Sequence, residues 1–390
     1  MKRIALIVPN SFYDTGVSTY TKNFINALNS NSYNFNISIY FRNNDWNFNF
    51  KSENNNFNFN KTIKYLEYIL VLLKLPKLGL LILRFFDPFY NNIISKKFDL
   101  ILFTTPSSST YFFNKNSITA VHDLMHITES NFTESSSFLI NLYRNTIYKH
   151  IAKYYNGIFV DSEFGKNMFQ KYYSPNNQLI INVLPYSCPD YIINSLETDV
   201  NDTKLFNNFG KYIFYPASFW EHKNHINLIK AFAIVKTKHS NLNLVLTGNK
   251  NRNYNNVYST VKTLKLEDSI FFVGYVDDEK LHILYKNAIA MIMPTFFGPT
   301  NIPPIESIYC NCPVLVSDIY GMREQLQDAA LYFNPNDISS ISQSLFEILE
   351  NPPTKLFNNM NKIKIKFTPD IFKIQLAKHI NNYFVNYKTI

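Results

Sequence analysis

The chain has 390 residues, too long for one ordinary core and about right for two domains of roughly 100–200 residues each. Hydrophobic residues make up 46% and aromatics 16%, enough for two packed interiors, and the formal net charge of +9 favours anionic partners. Its basic residues are scattered singly, which sets nucleic acid aside as a partner. The three cysteines, Cys188, Cys310 and Cys312, make neither a disulfide framework nor a zinc spacing and read as small buried residues in a reducing cytosol.

Along the chain, Lys2-Arg3 precedes a five-residue apolar run, Ile4–Val8, that stops at Pro9. That run is too short for the core of a signal peptide and predicts a first β-strand. Asp14-Thr15-Gly16-Val17-Ser18 then opens a helical pattern over Ser18–Leu28, and Asn36–Phe41 predicts the next strand. The Asn-rich stretch Asn43–Asn60 reads as a loop or a frayed edge with no motif. Ile63–Phe86 is apolar but interrupted by Lys64, Glu67, Lys74, Pro76, Lys77 and Arg84, so it falls short of the roughly 18–20 uncharged residues of a spanning helix. Two readings stay open there: a segment lying on an anionic membrane surface, or a pair of core-facing helices broken at Pro76. Strands follow at Leu100–Phe103, Ile118–Val121, Ile158–Asp161 and Leu179–Val183, with a helix over Phe138–Tyr155.

Around Pro185 to Thr203 the periodicity lapses, and a second series begins. Its strands are Tyr212–Pro216, Leu242–Thr247, Ile270–Val273, Ala288–Met293 and Pro313–Val316. Its helices are His225–Lys238, Val257–Leu264, Glu279–Asn287, one starting at Ile305–Tyr309, and an amphipathic candidate at Ile371–Phe384. Two consecutive β/α series predict an α/β protein: two Rossmann-like, doubly wound parallel-sheet domains facing across a cleft. The expected boundaries are 1–195 for the first domain and 205–368 for the second. A last helix at 369–390 would pack back on the first domain.

The stretch Pro294-Thr295-Phe296-Phe297-Gly298-Pro299-Thr300-Asn301-Ile302-Pro303-Pro304-Ile305-Glu306 leaves a strand and enters a helix. Such a loop presents unpaired backbone N–H groups to an anion, and proline at the entrance loses no needed donor. Glu306, in the first turn, has a carboxylate able to accept two sugar hydroxyls, or simply to complement the helix dipole. A second loop, Tyr215-Pro216-Ala217-Ser218-Phe219-Trp220-Glu221-His222-Lys223-Asn224-His225, leaves the first strand of the second series.

These two loops resemble those of glycosyltransferase family 4, whose members have the GT-B fold, and the form of the first resembles a branch that makes surface polysaccharides such as O-antigen. In that likeness Glu306 matches the glutamate that binds the donor ribose, and Gly298 stands where the family has a second glutamate on the transferred sugar. Thr300, Asn301 and Ile302 would offer donors to sugar and phosphate. Lys223 matches the lysine that neutralises the leaving diphosphate, and Ser218 stands where an arginine is expected. Ser218 thus replaces a bidentate clamp by one neutral hydrogen bond. Thr247-Gly248-Asn249 would lie close to the nucleotide, and Tyr275 and Val276 resemble the strand end that cradles its base. In the first domain Asp14 and Gly16 match a glycine loop, His122 a histidine near the donor sugar, and Ser162 a landmark on the acceptor side. Asp277-Asp278-Glu279 reads as a helix start rather than a metal site.

The resemblance implies a retaining hexosyltransferase needing neither metal nor cofactor, with catalysis resting on Lys223, His122 and Glu306. The first expectation for its donor is GDP-mannose. Its acceptor would be a glycan or polyprenyl-diphosphate-linked oligosaccharide, reached from the cytoplasmic face of the membrane. Because Gly298 and Ser218 depart from the pattern, a non-catalytic paralogue binding a sugar nucleotide or glycan as a partner subunit stays open. A sugar-nucleotide epimerase fits less well, for want of paired acid/base carboxylates. Oligomeric state is not legible.

Overall fold

The structure, a computed structural model, describes residues 1–8, 16–29, 35–41, 53–57, 61–114, 116–197, 209–351 and 353–386. The chain divides into two compact units: Met1–Asn131, Ser135–Pro185 and Phe372–Ile390 form the first, and Phe132–Glu134 with Tyr186–Ile371 form the second.

Strands β1 (Lys2–Val8), β2 (Phe35–Phe41), β3 (Glu53–Asn56), β4 (Leu100–Phe103), β5 (Ser117–Val121), β6 (Gly157–Val160) and β7 (Ile180–Val183) build the first unit's sheet. All pairings are parallel, in the order β3-β2-β1-β4-β5-β6-β7. A parallel strand is covered on both faces, so its sequence reads as a continuous apolar run, and Ile4 through Val8 are all buried. Of the two readings of the Asn-rich stretch, the edge holds over Glu53–Asn56, which pairs with β2 from Ser38↔Glu53 to Phe41↔Asn56. An edge strand tolerates such polar residues, and Phe57 beside it stacks on Tyr40 at 6.0 Å. The rest of that stretch lies outside the described residues.

Around this sheet stand α1 (Gly16–Asn29), α2 (Lys61–Leu72), α3 (Pro76–Phe86), α4 (Pro88–Lys96), α5 (Met125–Thr128), α6 (Phe138–Tyr154) and α7 (Glu163–Tyr173). α2 closes on a left-handed Lys74 (φ +57°), and Pro76 starts α3, where its missing N–H costs nothing. A Cβ on Gly79 would come within 2.7 Å of the Phe112 ring, so glycine is what lets α3 sit against the 3-10 turn Ser108–Phe112.

The second unit carries α8 (Asp190–Glu197), β8 (Lys211–Pro216), α9 (His225–Lys236), β9 (Leu242–Thr247), α10 (Tyr254–Thr263), β10 (Ile270–Gly274), α11 (Asp278–Asn287) and β11 (Ala290–Met293). It continues through α12 (Pro303–Tyr309), β12 (Val314–Ser317), α13 (Met322–Leu326), β13 (Leu331–Phe333), α14 (Ile338–Glu350) and α15 (Thr354–Lys364). Its six strands are parallel in the order β10-β9-β8-β11-β12-β13. The order reverses direction between β8 and β11, and a doubly wound sheet opens its ligand crevice at such a switch point, beyond the carboxyl ends of the strands. Both motif loops leave the sheet there.

The last helix, α16 (Pro369–Asn386), begins in the second unit and joins the first from Phe372. There Tyr383 donates to Asn116 Oδ1 at 3.2 Å, and the Phe372 ring meets Tyr20 edge-on. All three cysteines are unpaired and buried. Among the described residues no helix is long and apolar enough to cross a membrane.

Candidate active site

The loop leaving β8 is laced to its neighbours through the backbone. Ala217 N–H donates to Thr247 O at 3.1 Å, Phe219 N–H to Asn249 O at 3.0 Å, and Gly248 N–H to Gly274 O at 2.8 Å. Gly248 has φ +126°, and a Cβ there would lie 2.6 Å from the backbone of Ala217 and Ser218. The glycine at this strand end is therefore set by the adjacent loop itself. Ser218 Oγ is engaged as well, accepting from Asn249 N–H at 3.3 Å. Tyr275 and Val276 follow β10, the former exposed and the latter packed on the core.

Beyond Trp220 the chain makes a short 3-10 turn, Glu221–Lys223, and Asn224 takes the left-handed conformation at φ +57°. The buried Asn224 amide donates to Pro294 O and Pro335 O, both at 2.9 Å, tying together the loops after β8, β11 and β13. Lys223 is fixed by its backbone: its carbonyl accepts from Tyr215 OH at 2.8 Å. Burial pulls its ammonium down to about 8, although the Glu134 carboxylate pulls the other way. His225 behind it is buried, stacked on Phe219 at 4.5 Å, and burial pushes its ring down to about 3.

Glu134 comes from the Phe132–Glu134 tripeptide of this unit, and the motifs gave no sign of it. It accepts from His222 N–H at 3.0 Å and pairs with His222 Nδ1. Burial alone raises a carboxyl, but these bonds outweigh it and hold Glu134 down at about 2. Next to it, Thr133 N–H donates to Glu221 Oε2 at 3.1 Å, and Phe132 stacks on Phe296 at 5.8 Å. The 221–223 turn is thus held from outside its own sequence.

Loop 294–302 runs beside that turn. Phe296 N–H donates to His222 O at 2.8 Å and Thr295 Oγ1 to the same carbonyl at 3.1 Å. Gly298 has φ +135°, and a Cβ there would lie 2.5 Å from the Asn301 amide nitrogen. Asn301 is held by Gln325 of α13, which accepts from its N–H at 3.0 Å and donates to its carbonyl at 2.7 Å. Asn301 Nδ2 is buried with no hydrogen-bond partner among the described residues. Position 298 is therefore glycine for two reasons: its backbone angle disfavours a side chain, and the Asn301 amide occupies the space one would take. Thr300 and Ile302 beside it are buried.

The seven-residue α12 carries Glu306, which is 4% exposed. Its carboxylate accepts from Tyr285 OH of α11 at 2.6 Å and from Tyr191 OH of α8. Nothing in the motifs foreshadowed the two tyrosines, since each reaches Glu306 from a different helix.

The remaining expected residues lie in the first unit. His122, after β5, donates Nε2–H to Thr104 O at 2.9 Å and meets the Tyr20 ring at 4.7 Å. Burial lowers its pKa, which keeps the ring neutral at pH 7. Its neighbour Asp123 pairs with Arg144 at 2.7 Å. Ser162 is the N-cap of α7, accepting from Gly165 N–H at 3.0 Å. Gly16 is the exposed first residue of α1, and Asp14 lies outside the described residues. At the start of α11, Asp277 stands at the N-cap position but takes no backbone N–H with its side chain. Among the described residues no three His, Cys, Asp or Glu side chains gather as a metal ion requires.

Residues 199–367 match the model of the family described as glycosyl transferases group 1. The O-antigen chain mannosyltransferase RfbU of Salmonella typhimurium is 29% identical over 248 residues, which is 63% of this chain and 64% of that protein. The O-antigen chain mannosyltransferase B of Escherichia coli is 28% identical over 141 residues, 36% of this chain and 37% of that one. The matched stretch thus spans less than two thirds of the length of either relative. Among solved structures, a sucrose-phosphate synthase from Thermosynechococcus elongatus superposes with a TM-score of 0.70 at 15% identity, over 99% of this chain and 100% of that one. At that identity the likeness establishes the fold, and the fold is GT-B. Strand order, paired motif loops and family match agree over the second unit: residues 199–367 are similar to the domain of the glycosyl transferases group 1 family.

Proposed function

We propose that this protein is a retaining glycosyltransferase that moves a hexose from a nucleotide-sugar donor onto a glycan or a polyprenyl-diphosphate-linked oligosaccharide in surface-polysaccharide synthesis. GDP-mannose is the donor put forward, because the two O-antigen relatives are named for mannose transfer. The observation that carries the reading is the pairing of two loops at one switch point. The turn bearing Lys223 and the loop leading to Glu306 leave adjacent strands and are bonded to each other through the His222 carbonyl.

In the reaction, the bond between the anomeric carbon and the diphosphate oxygen breaks, and the acceptor oxygen bonds the same carbon on the same face. The acceptor proton passes to the departing diphosphate. The protein's contribution is charge: Lys223 stabilises the developing diphosphate anion, as a fixed group in a partly dry site does well. Its lowered pKa supports the assignment, since an anion would restore the charge that burial disfavours. Glu306, gripped by Tyr191 and Tyr285, is a rigid acceptor for ribose hydroxyls. Neutral His122 is assigned to the donor-sugar side, and no metal or cofactor enters the scheme.

The non-catalytic reading keeps one observation in its favour, the Asn301 amide in the place where the resemblance expects a glutamate. Thermal shifts against GDP, UDP, dTDP and ADP, with their sugar conjugates, separate the two. Stabilisation by GDP and GDP-mannose, lost in Glu306→Ala, is the expected result. A nucleotide shift without any sugar transfer to added acceptors would favour the binding subunit.

A further inference from the structure

We propose that the α2–α3 hairpin is a docking face for a bilayer containing anionic lipid. Each of its helices turns one face to the core and leaves a second apolar stripe outside. On α2 the inward residues are Ile63, Leu70 and Val71, while Tyr65, Ile69 and Leu73 are exposed at three- to four-residue spacing. On α3, Gly79 and Leu83 face inward against Phe112, while Leu78, Leu81 and Phe85 are exposed. Phe85 is 82% exposed, Phe86 69% and Leu73 61%. Scattered surface leucines are normal, but two aligned stripes on adjoining helices form a patch that a water-soluble surface rarely carries. The next helix extends it: α6 meets α2 through Tyr68 and Tyr143, 4.8 Å apart, and exposes Phe138 and Leu139 in its first turn.

Charge decides the occupant. Residues 61–86 contain five bases and one acid. Lys74 and Lys77 flank the turn between the helices and Arg84 adjoins Phe85, all three exposed. Glu67, the one acid, is buried, and its carboxylate accepts from Tyr90 OH at 2.8 Å and from Ser108 OH. Asp87, just beyond, is buried too and accepts Phe89 N–H at 3.0 Å. Every exposed charge of the hairpin is therefore positive. A second copy of the chain seated on the same face would set like charges against like. An anionic bilayer satisfies both components, taking up the apolar rings at its interface while lysine stems reach the headgroups.

The test is co-sedimentation of the full chain with phosphatidylcholine vesicles, plain or containing about one third phosphatidylglycerol. Binding to the anionic vesicles, weakened in about 0.5 M salt, is expected. The pair Lys74→Glu/Lys77→Glu should lower partitioning at least about tenfold, and Phe85→Ser/Phe86→Ser by a similar factor, because each removes one of the two components. These side chains are exposed, so melting temperature should not change; the nucleotide shift is read separately, and failure here leaves the donor assignment standing. Wild-type protein that stays in the supernatant with both vesicles, or variants that bind as tightly as wild type, would overturn the proposal. So would a dimer in light scattering that Phe85→Ser/Phe86→Ser abolishes, since that would make the face a self-association surface.

Discussion

Two regions of this chain treat their surface groups in opposite ways. The strand-end loops of the second unit consume their polar groups on one another: Asn224 bridges Pro294 and Pro335, Gln325 grips Asn301, and two tyrosines grip Glu306. The α2–α3 hairpin of the first unit leaves Leu73, Leu81, Phe85 and Phe86 uncovered. A frame closed by its own hydrogen bonds is suited to hold a small ligand without rearranging, which lowers the cost of binding and of reaction. An uncovered apolar and basic face is suited to a surface it does not itself supply. On the readings proposed for them, one chain presents a preformed small-molecule site and an open docking face.

The strongest test of that contrast removes chemistry from the frame without touching the frame. Lys223 is anchored through its carbonyl to Tyr215 and through its neighbour Asn224, so Lys223→Ala should leave the loop in place. Sugar transfer should fall at least about a hundredfold, the usual loss for a charge-stabilising group, with a melting temperature no lower than that of the wild type. Near-normal turnover would refute the assignment. The wild type has a pH signature too. In the free protein Lys223 loses its proton as pH rises through about 8, so nucleoside-diphosphate affinity should fall above that value and stay flat in Lys223→Arg. The sign separates this from unfolding: between about 8 and the ordinary 10.5 the unfolded chain holds more of this proton, so this lysine's share of stability rises with pH.

Much of this was legible beforehand, for identifiable reasons. Parallel strands covered on both faces leave unbroken apolar runs, so β4, β5 and β9 can be read almost to the residue. Glu53–Asn56 could be read no further than a loop or a frayed edge, because asparagine argues against strand and only pairing with Ser38–Phe41 makes it one. At the candidate site, Lys223 and Glu306 could be singled out because a loop motif is local. Glu134, Tyr191, Tyr285 and Gln325 were not, since each arrives from a distant segment with no spacing to mark it. Gly298 was legible only as a departure; its backbone angle and Asn301 supply the reason.

That reason has a smaller but measurable consequence. If the frame is closed around Gly298, installing a side chain damages the frame before it adds any contact. Gly298→Ala should destabilise the protein by about 1–3 kcal/mol, from the disfavoured angle and the displaced Asn301 amide. Gly298→Glu should be no more stable and should not raise donor affinity. A Gly298→Glu protein that melts like wild type and binds GDP-mannose more tightly would show the loop to be adaptable, and would erase the contrast with the hairpin.

The smallest effect concerns how the 221–223 turn is held. Glu134→Gln keeps the shape and loses the charge that His222 Nδ1 and N–H address, so it should cost about 1 kcal/mol at pH 7. Because the folded carboxyl is held down at about 2 against an ordinary 4.5, its contribution is complete above 4.5 and is lost as pH falls toward 2. Urea unfolding followed by Trp220 fluorescence in a Trp46→Phe background reads this directly, since Trp220 opens the turn. The gap between wild type and Glu134→Gln should be open at pH 7 and narrower at pH 3. A gap that stays constant between those values would mean that Glu134 acts by filling space, and the turn carrying Lys223 would then be held by packing rather than by charge.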